Sequence, residues 1–475
     1  MMWELSYNRA ALRSHAAHLG VGAFHRAHQQ GYYDDLACAG GDWGVVGVNL
    51  TPPDLAERHA AQGGVYSVLT EDGDGATCRP IGTLLELHDA ASAPGLDWAG
   101  ISFATLTITE KGYCHHSGTT ELDPDKVVAD LATPETPRTA IGYLAWMLER
   151  RRRAGQGPIT LASCDNVPDN GVLLGAVLTD YAARAFPELS RWMAQNVAFP
   201  TSMVDRIVPA MSDASRARLE VACGCADTLG VVAEPFRQWV IEDRFAASRP
   251  ALEHVGVQVT SDLASYEHMK HRLLNGLQSA YAELGRLCGH EGSHGAATDP
   301  VLAAWAVPFL ASQSDTLTCP EGEDLEIYGR TSLRRLQNPT IHHPLNQIAS
   351  DASFKLPQRI GAPAAELLAR GARAEAQAMV LAGWALQVGD GQVDCGGVTV
   401  SDPMATDLAA LRTRHGGSAE DLARALLAQP IWPERLRTDP DFAAATAHWI
   451  RAFAAATPAT RRARIEEFLR ERMNA

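Results

Sequence analysis

His18-Leu19-Gly20-Val21-Gly22-Ala23-Phe24-His25 is the stretch on which the fold turns. It reads as a short strand running into a glycine turn. Ala27 to Leu36 then reads as a helix, and Val45-Val46-Gly47-Val48-Asn49-Leu50 as a second strand. A strand–turn–helix–strand unit implies a parallel pair. Glycines at such a turn let backbone N–H groups approach a pyrophosphate at a helix N-terminus. Two glycines of that dinucleotide fingerprint are present, and His25 stands where the third is expected. An ordinary strand–helix turn would read the same way. The second strand ends without a carboxylate for a ribose, and Asp54 arrives four residues after Leu50, so NAD and NADP both stay open.

Outward from this unit, Ile101 to Ile108 and Ile159 to Cys164 read as further central strands, with a helix over Arg138 to Arg153 between them. This alternation predicts a Rossmann-type doubly wound α/β domain. From about residue 260 helix periodicity takes over: Ala364 to Val388, with Gly371 and Gly383 as weak points, then Asp439 to Phe453 and Thr460 to Met473. The expected division is an α/β half over 1–260 and a mostly α-helical half over 261–475. A chain of 475 residues is long enough for two cores.

Net charge is −15, which argues against nucleic acid or an anionic membrane as partner. The one dense basic run, Arg150 to Arg153, follows an apolar helical stretch and reads as a helix C-terminus. No apolar run reaches the roughly 20 residues of a membrane span, and Met1 to Asn8 contains no apolar signal core. Nine scattered cysteines, with Cys223 and Cys225 the one close pair, suggest free thiols in a reducing cytoplasm.

The chemistry-bearing stretch is Lys270-His271-Arg272-Leu273-Leu274-Asn275-Gly276-Leu277-Gln278. On an α-helix turning about 100° per residue, Gln278 lies about 80° and Asn275 about 140° round from Lys270. An amine that can lose its proton, beside amides that can hold an oxyanion, suits proton removal from a hydroxyl. A solvated Lys beside an Asn-Gly cap has the same spacing. Ser163-Cys164-Asp165-Asn166 follows a predicted strand, where ligands bind in parallel sheets, and Asn166 is the nearest ligand candidate. Met203-Val204-Asp205-Arg206 places an acid and a base in an apolar frame, which a structural ion pair would also explain. His290-Glu291-Gly292-Ser293-His294 fits the zinc-protease pattern, but Gly289, Gly292 and Gly295 argue for a loop and against a metal site. Cys223-Gly224-Cys225 lacks a second paired half and is not expected to bind metal.

These blocks, in this order, resemble the mannitol dehydrogenase family of long-chain polyol and hexuronate dehydrogenases. The resemblance also rests on Thr109-Glu110-Lys111-Gly112-Tyr113, on Glu234 to Asp243, and on Ser350 to Pro357. It implies an NAD(P)-carrying Rossmann domain, a helical C-terminal domain, a cleft between them and no catalytic metal. It implies that Lys270 is the general acid/base, that Asn166 and Asn275 hold the substrate oxygen, and that Asp205 and Lys355 lie in the substrate site; Gln278 and Lys111 are further substrate-facing candidates, and a surface Lys in a turn would read like Lys111. Gly20, Val21, Gly22, Ala23, Phe24, Asn49, Thr109 and Asn166 are the implied cofactor positions, with NAD placed before NADP. As a base near neutrality Lys270 needs burial or cationic neighbours to lower its pKa, and His271, Arg272 and Lys355 are candidates.

Gln278 departs from the family, which usually has His there; a Gln cannot change charge near neutral pH. Gln347 and Lys111 stand where mannitol-oxidising members tend to have Arg and Gly. Both point to the hexuronate branch, with D-fructuronate and D-mannonate as the expected pair. A D-mannitol or other polyol 2-dehydrogenase is the alternative, followed by a non-catalytic sensor. The expected setting is a cytoplasmic monomer or small homo-oligomer acting on a small sugar acid or polyol.

Overall fold

The computed structural model describes residues 4–51, 54–341, 343–387, 400–454 and 457–473. Met1 to Trp3 of the N-terminal reading, Val388 at the end of a helical reading and Cys395 lie outside them. Among the described residues the strands are, in chain order, β1 Arg13–Leu19, β2 Trp43–Asn49, β3 Tyr66–Glu71, β4 Ala76–Ile81, β5 Leu84–Asp89, β6 Phe103–Leu106, β7 Ile159–Ser163, β8 Val197–Ala198, β9 Ser202–Asp205, β10 Val231–Ala233, β11 Gln238–Glu242 and β12 Gln258–Thr260. The chain divides into two compact units, Met1–Leu263 and Ala264–Ala475.

In the first unit six strands form one sheet in the order β5-β2-β1-β6-β7-β8, every pairing parallel. The order reverses at β1, where β2 lies on one side and β6 on the other; such a switch point opens a crevice at the carboxyl ends of the strands. The central strands are buried on both faces, as a parallel sheet requires. Leu19, Val48, Leu106 and Leu161 pack under helices Ala140–Arg153 and Asn170–Ala185 through Leu144, Leu148, Leu174 and Val177. Ala16 and Val45 meet Ala27 and Tyr33 in one further cluster, and Phe103 and Ala162 meet Tyr32 and Trp239 in another. The doubly wound reading therefore holds.

Two small sheets, β10-β3-β4 and β12-β11-β9, have no counterpart in the sequence reading. The helix expected over Ala27 to Leu36 is two helices, Ala23–Ala27 and Gln29–Cys38, broken at His28. The Arg150–Arg153 run ends its helix as expected, yet Arg151 is buried. Its guanidinium donates to the carbonyls of Trp98, Ile101, Gly157 and Pro158.

The expectation of free thiols fails for two cysteines. Cys78 on β4 and Cys223, the last residue of helix Asp213–Cys223, form a disulfide with Cα atoms 5.6 Å apart. Leu69, Leu219 and Val232 pack this helix against the small sheet, and that packing brings together residues 145 apart in sequence. The nearby Cys225 is free.

Among its described residues the second unit carries helices and, apart from an isolated bridge between Gly292 and Pro344, no strand. Helix Gly276–Leu287 is buried almost all round and serves as its axis. The stretch read as Ala364 to Val388 is two helices, Ala362–Ala369 and Glu375–Gln387, because the chain turns at Gly371 with φ +74°. Gly383 stays inside its helix. No described helix is long and apolar enough to cross a membrane.

Candidate active site

At the carboxyl end of β1 the backbone needs glycine. Gly20 has φ +93°, and a Cβ there would stand 2.2 Å from the Thr107 carbonyl oxygen. The turn is held by Gly22 N–H on the Gly20 carbonyl at 2.7 Å and by Thr107 Oγ1 on the same oxygen at 2.7 Å. A Cβ on Gly22 would meet no atom nearer than 4.0 Å, so this side of the turn is open. Glycine at 22 keeps it open for a phosphate, and the residues fit a dinucleotide. His25, where a third glycine was expected, is buried inside the fold. Its ring stacks on His18 at 3.3 Å between centroids, and Gln30 Nε2 lies 3.0 Å from its Nε2.

The other candidates of this unit gather at the same sheet edge. The register aligns Leu19 with Val48 and Leu106, and Leu106 with Ser163. Asn49, the Thr107–Thr109 segment and Asp165-Asn166 therefore emerge side by side. Thr109 has φ +62°, costly for a β-branched residue. Asp165 holds it there: its carboxylate accepts from Ile108 N–H at 3.0 Å, Thr109 N–H at 2.8 Å and Tyr113 Oη at 2.8 Å. Within Cys164-Asp165-Asn166, Asp165 is thus the buried anchor and Asn166 is exposed. Lys111 is exposed on the four-residue helix Thr109–Gly112. Asp205 ends β9 and is buried. Its strand is tied to β7 by Ser202 Oγ, which donates to the Ser163 carbonyl, and by Asn170, whose Nδ2 reaches Asp165 O and Ser202 O. Arg206 spends its guanidinium on the carbonyls of Glu234 and Ala27.

In the helical unit Lys270 to Asn275 is one π-helical turn set between helices Leu263–Met269 and Gly276–Leu287. The α-helical estimate of 140° between Lys270 and Asn275 is therefore corrected. With backbone bonds running i→i+5, here Gly276 N–H to His271 O, residues five apart stack about one turn above each other. Both Lys270 and Asn275 are buried. Asn275 Nδ2 donates to Gln278 Oε1 at 3.1 Å, which leaves its second N–H uncommitted, and its Oδ1 is buried with no partner. A second π turn, Pro357–Gly361, directly follows helix Ala352–Leu356, which carries Lys355. Proline has no N–H to give to the preceding turn, which accounts for the break in register. Lys355 Nζ donates to Ser350 O at 2.6 Å, and burial together with Arg359 holds its pKa down.

Of the three expected cationic neighbours of Lys270, His271 carries no charge and Arg272 is already paired. Burial, with Lys270 and Arg359 nearby, pushes His271 down to about 3, so it is neutral. Arg272 makes a bidentate pair with Glu366 at 2.7 and 2.8 Å and also donates to Thr316. A further cation beside this turn is the half-buried Arg359, whose guanidinium donates to Asn275 O at 3.4 Å and to Ser279 Oγ at 3.0 Å. A lone arginine four residues after Lys355 carries no signal of its packing in the sequence. The zinc-like motif is split: His290 precedes helix Ser293–Thr298 and pairs with Asp299, whereas His294 lies inside it on the Gln337 carbonyl. Among the described residues no group of three or more His, Cys, Asp or Glu could hold a metal ion.

Residues 14–254 match the mannitol dehydrogenase Rossmann domain and residues 262–454 the mannitol dehydrogenase C-terminal domain. The chain belongs to the mannitol dehydrogenase family. Like other mannitol dehydrogenase family members it is an NAD(P)-dependent oxidoreductase acting on CH–OH groups. It is 36% identical to the D-mannonate oxidoreductase of Escherichia coli K12, over 93% of each chain. The solved mannitol 2-dehydrogenase of Pseudomonas fluorescens, in ternary complex with NAD and D-mannitol, superposes with a TM-score of 0.80 at 34% identity over 98% of this chain and 96% of that one. A substrate-free D-sorbitol dehydrogenase gives 0.87 at 30% identity, with 96% of each chain covered.

Proposed function

We propose that this chain is a polyol 2-dehydrogenase, oxidising a secondary hydroxyl of D-mannitol or a related open-chain polyol to a ketone and running the reverse reduction, with NAD ahead of NADP. The observation that carries the reading is the π turn with a buried Lys270 at one end and Asn275, its Oδ1 unpartnered, at the other. Lys270, as the free amine, takes the hydroxyl proton. Asn275 donates its uncommitted N–H to the oxygen as charge develops, and Gln278 holds the amide plane. Asn166 is the second donor. One such donor is typically worth about 2.7–4 kcal/mol in the transition state. A bound nicotinamide supplies the hydride acceptor. Asp205, Lys355 and Lys111 are proposed to face substrate, and Gly20, Val21, Gly22, Ala23, Phe24, Asn49, Thr109 and Asn166 the cofactor.

The likeness to two solved polyol dehydrogenases supports polyols over sugar acids. The second reading, reduction of D-fructuronate to D-mannonate, is favoured by Lys111 and Gln347 and by the E. coli relative. Both side chains are exposed. Steady-state rates with D-mannitol and D-sorbitol plus NAD(P)+, and with D-fructose and D-fructuronate plus NAD(P)H, separate the two. Turnover on a polyol–ketose pair is expected; turnover confined to D-fructuronate overturns the proposal in favour of the second reading.

A further inference from the structure

Both π turns of the helical unit expose backbone carbonyls that a regular helix would use, and one side chain takes a carbonyl from each. Gln313, fully buried on helix Pro300–Ser314, donates Nε2 to the Arg272 carbonyl at 3.1 Å and to the Arg359 carbonyl at 2.8 Å. Two carbonyl partners admit only the amide nitrogen, so its orientation is fixed. The opposite oxygen accepts from Nε2 of Gln377 at 3.1 Å, itself fully buried. Two further observations show how closely the three pieces fit. A Cβ on Gly276, the residue after Asn275, would lie 3.0 Å from Gln313 Nε2 and 3.4 Å from the Arg359 carbonyl oxygen. Arg359 in turn reaches back across the same seam, to Asn275 O at 3.4 Å and Ser279 Oγ at 3.0 Å.

We propose that Gln313 is a positioning residue, a two-carbonyl clamp that holds the Lys270–Asn275 turn against the turn after Lys355 and so sets where the amine and the amide stand. It touches no reacting atom. The inference rests on the reading of Lys270 as the acid/base. A fully buried amide bridging two helices could also serve stability alone, so the two roles must be separated by kinetics.

The test compares full-length wild type, Gln313→Met, Gln313→Glu and Lys270→Ala with the best substrate pair of the panel above. Methionine keeps the length and removes the donor; glutamate keeps the shape and sets an acceptor against two carbonyls. For Gln313→Met the expected result is a ten- to hundredfold fall in kcat, a KM within threefold of wild type, an unchanged cofactor Kd and a displaced pH profile of kcat. Gln313→Glu should be worse. A folded Gln313→Met with kcat within twofold of wild type overturns the clamp, as does parallel decay of kcat, KM and cofactor Kd in step with a lowered Tm. Should Gln313→Met not fold, Gln377→Met removes the donor behind the amide. It is expected to lower kcat three- to tenfold at constant KM, and an unchanged kcat there overturns the proposal. Lys270→Ala with near-normal turnover would instead remove the base reading, whereas an inactive Lys270→Ala beside a normal Gln313→Met removes the clamp alone.

Discussion

Lys270 and Gln278 are the two residues on which the chemistry can be tested most directly. Lys270→Ala should lower turnover by several decades while NADH binding, followed by fluorescence, stays within twofold of wild type. Gln278 accepts from Asn275 Nδ2 and cannot ionise near neutrality. Gln278→His places a titrating ring there. As its imidazole gains a proton it can no longer accept from Asn275, so kcat in this variant should acquire an acid limb near pH 6–7 that wild type lacks. Identical pH–rate profiles for the two proteins would show that position 278 does not orient Asn275. Lys270, Asn166 and Asn275 stand out as candidates because their neighbours in sequence form recognisable blocks. Arg359 and Gln313 do not, since a polar residue within a helical stretch reads the same whether solvated or buried; only tertiary packing decides which.

At the scale of elements, long apolar strands and amphipathic helices came through in the sequence, and local geometry did not. The strand read over Ile101 to Ile108 is Phe103–Leu106, because the chain beyond Leu106 bends to bring Ile108 and Thr109 N–H onto Asp165. The hairpin β3–β4 carries mixed polar residues on short strands, which gives no clear alternation to read. The π turns escape any 3.6-residue template. The described non-glycine residues with positive φ are Thr109, Cys114, Asp169 and Asp351. All four lie within four residues of a position proposed to bind ligand, and strain of this kind gathers at functional sites. Asp165→Ala would leave the Ile108 and Thr109 N–H groups without their acceptor, whereas Tyr113 keeps Ser163 Oγ. It should cost about 2 kcal/mol in denaturant unfolding, at roughly 1 kcal/mol or more per orphaned group, and weaken cofactor binding as the Thr109 turn relaxes. A loss below 1 kcal/mol would mean that water replaces the carboxylate.

For the whole molecule, the Rossmann unit buries three imidazoles in one cluster, His18, His25 and His28. Burial pushes His18 and His28 down to about 3 and His25 well below its ordinary value. The unfolded chain takes up protons on these rings near pH 6.5; in the folded chain His18 and His28 do not until about pH 3, and burial holds His25 back in the same direction. The unfolded state therefore binds more protons in that window, and stability rises with pH across it. These rings should make Tm fall progressively from pH 6.5 towards 4. His28→Gln, which can still donate to the Gln238 carbonyl, should show a shallower fall. An unchanged slope would assign the acid sensitivity to other groups. The division into an α/β and a helical part was readable from the change in periodicity near residue 260, whereas the covalent link within the first part was not, because distance along a chain says nothing about distance in space.

That link has a topological consequence. Joining Cys78 to Cys223 closes a ring of chain that contains β5, β6, β7, β8 and β9, and so threads through most of the central sheet. A protease that cuts one exposed loop inside the ring opens it without separating the pieces. Nicked protein would migrate as one band on a denaturing gel until a thiol reductant is added, and would keep both halves of its sheet at each other's side in the meantime.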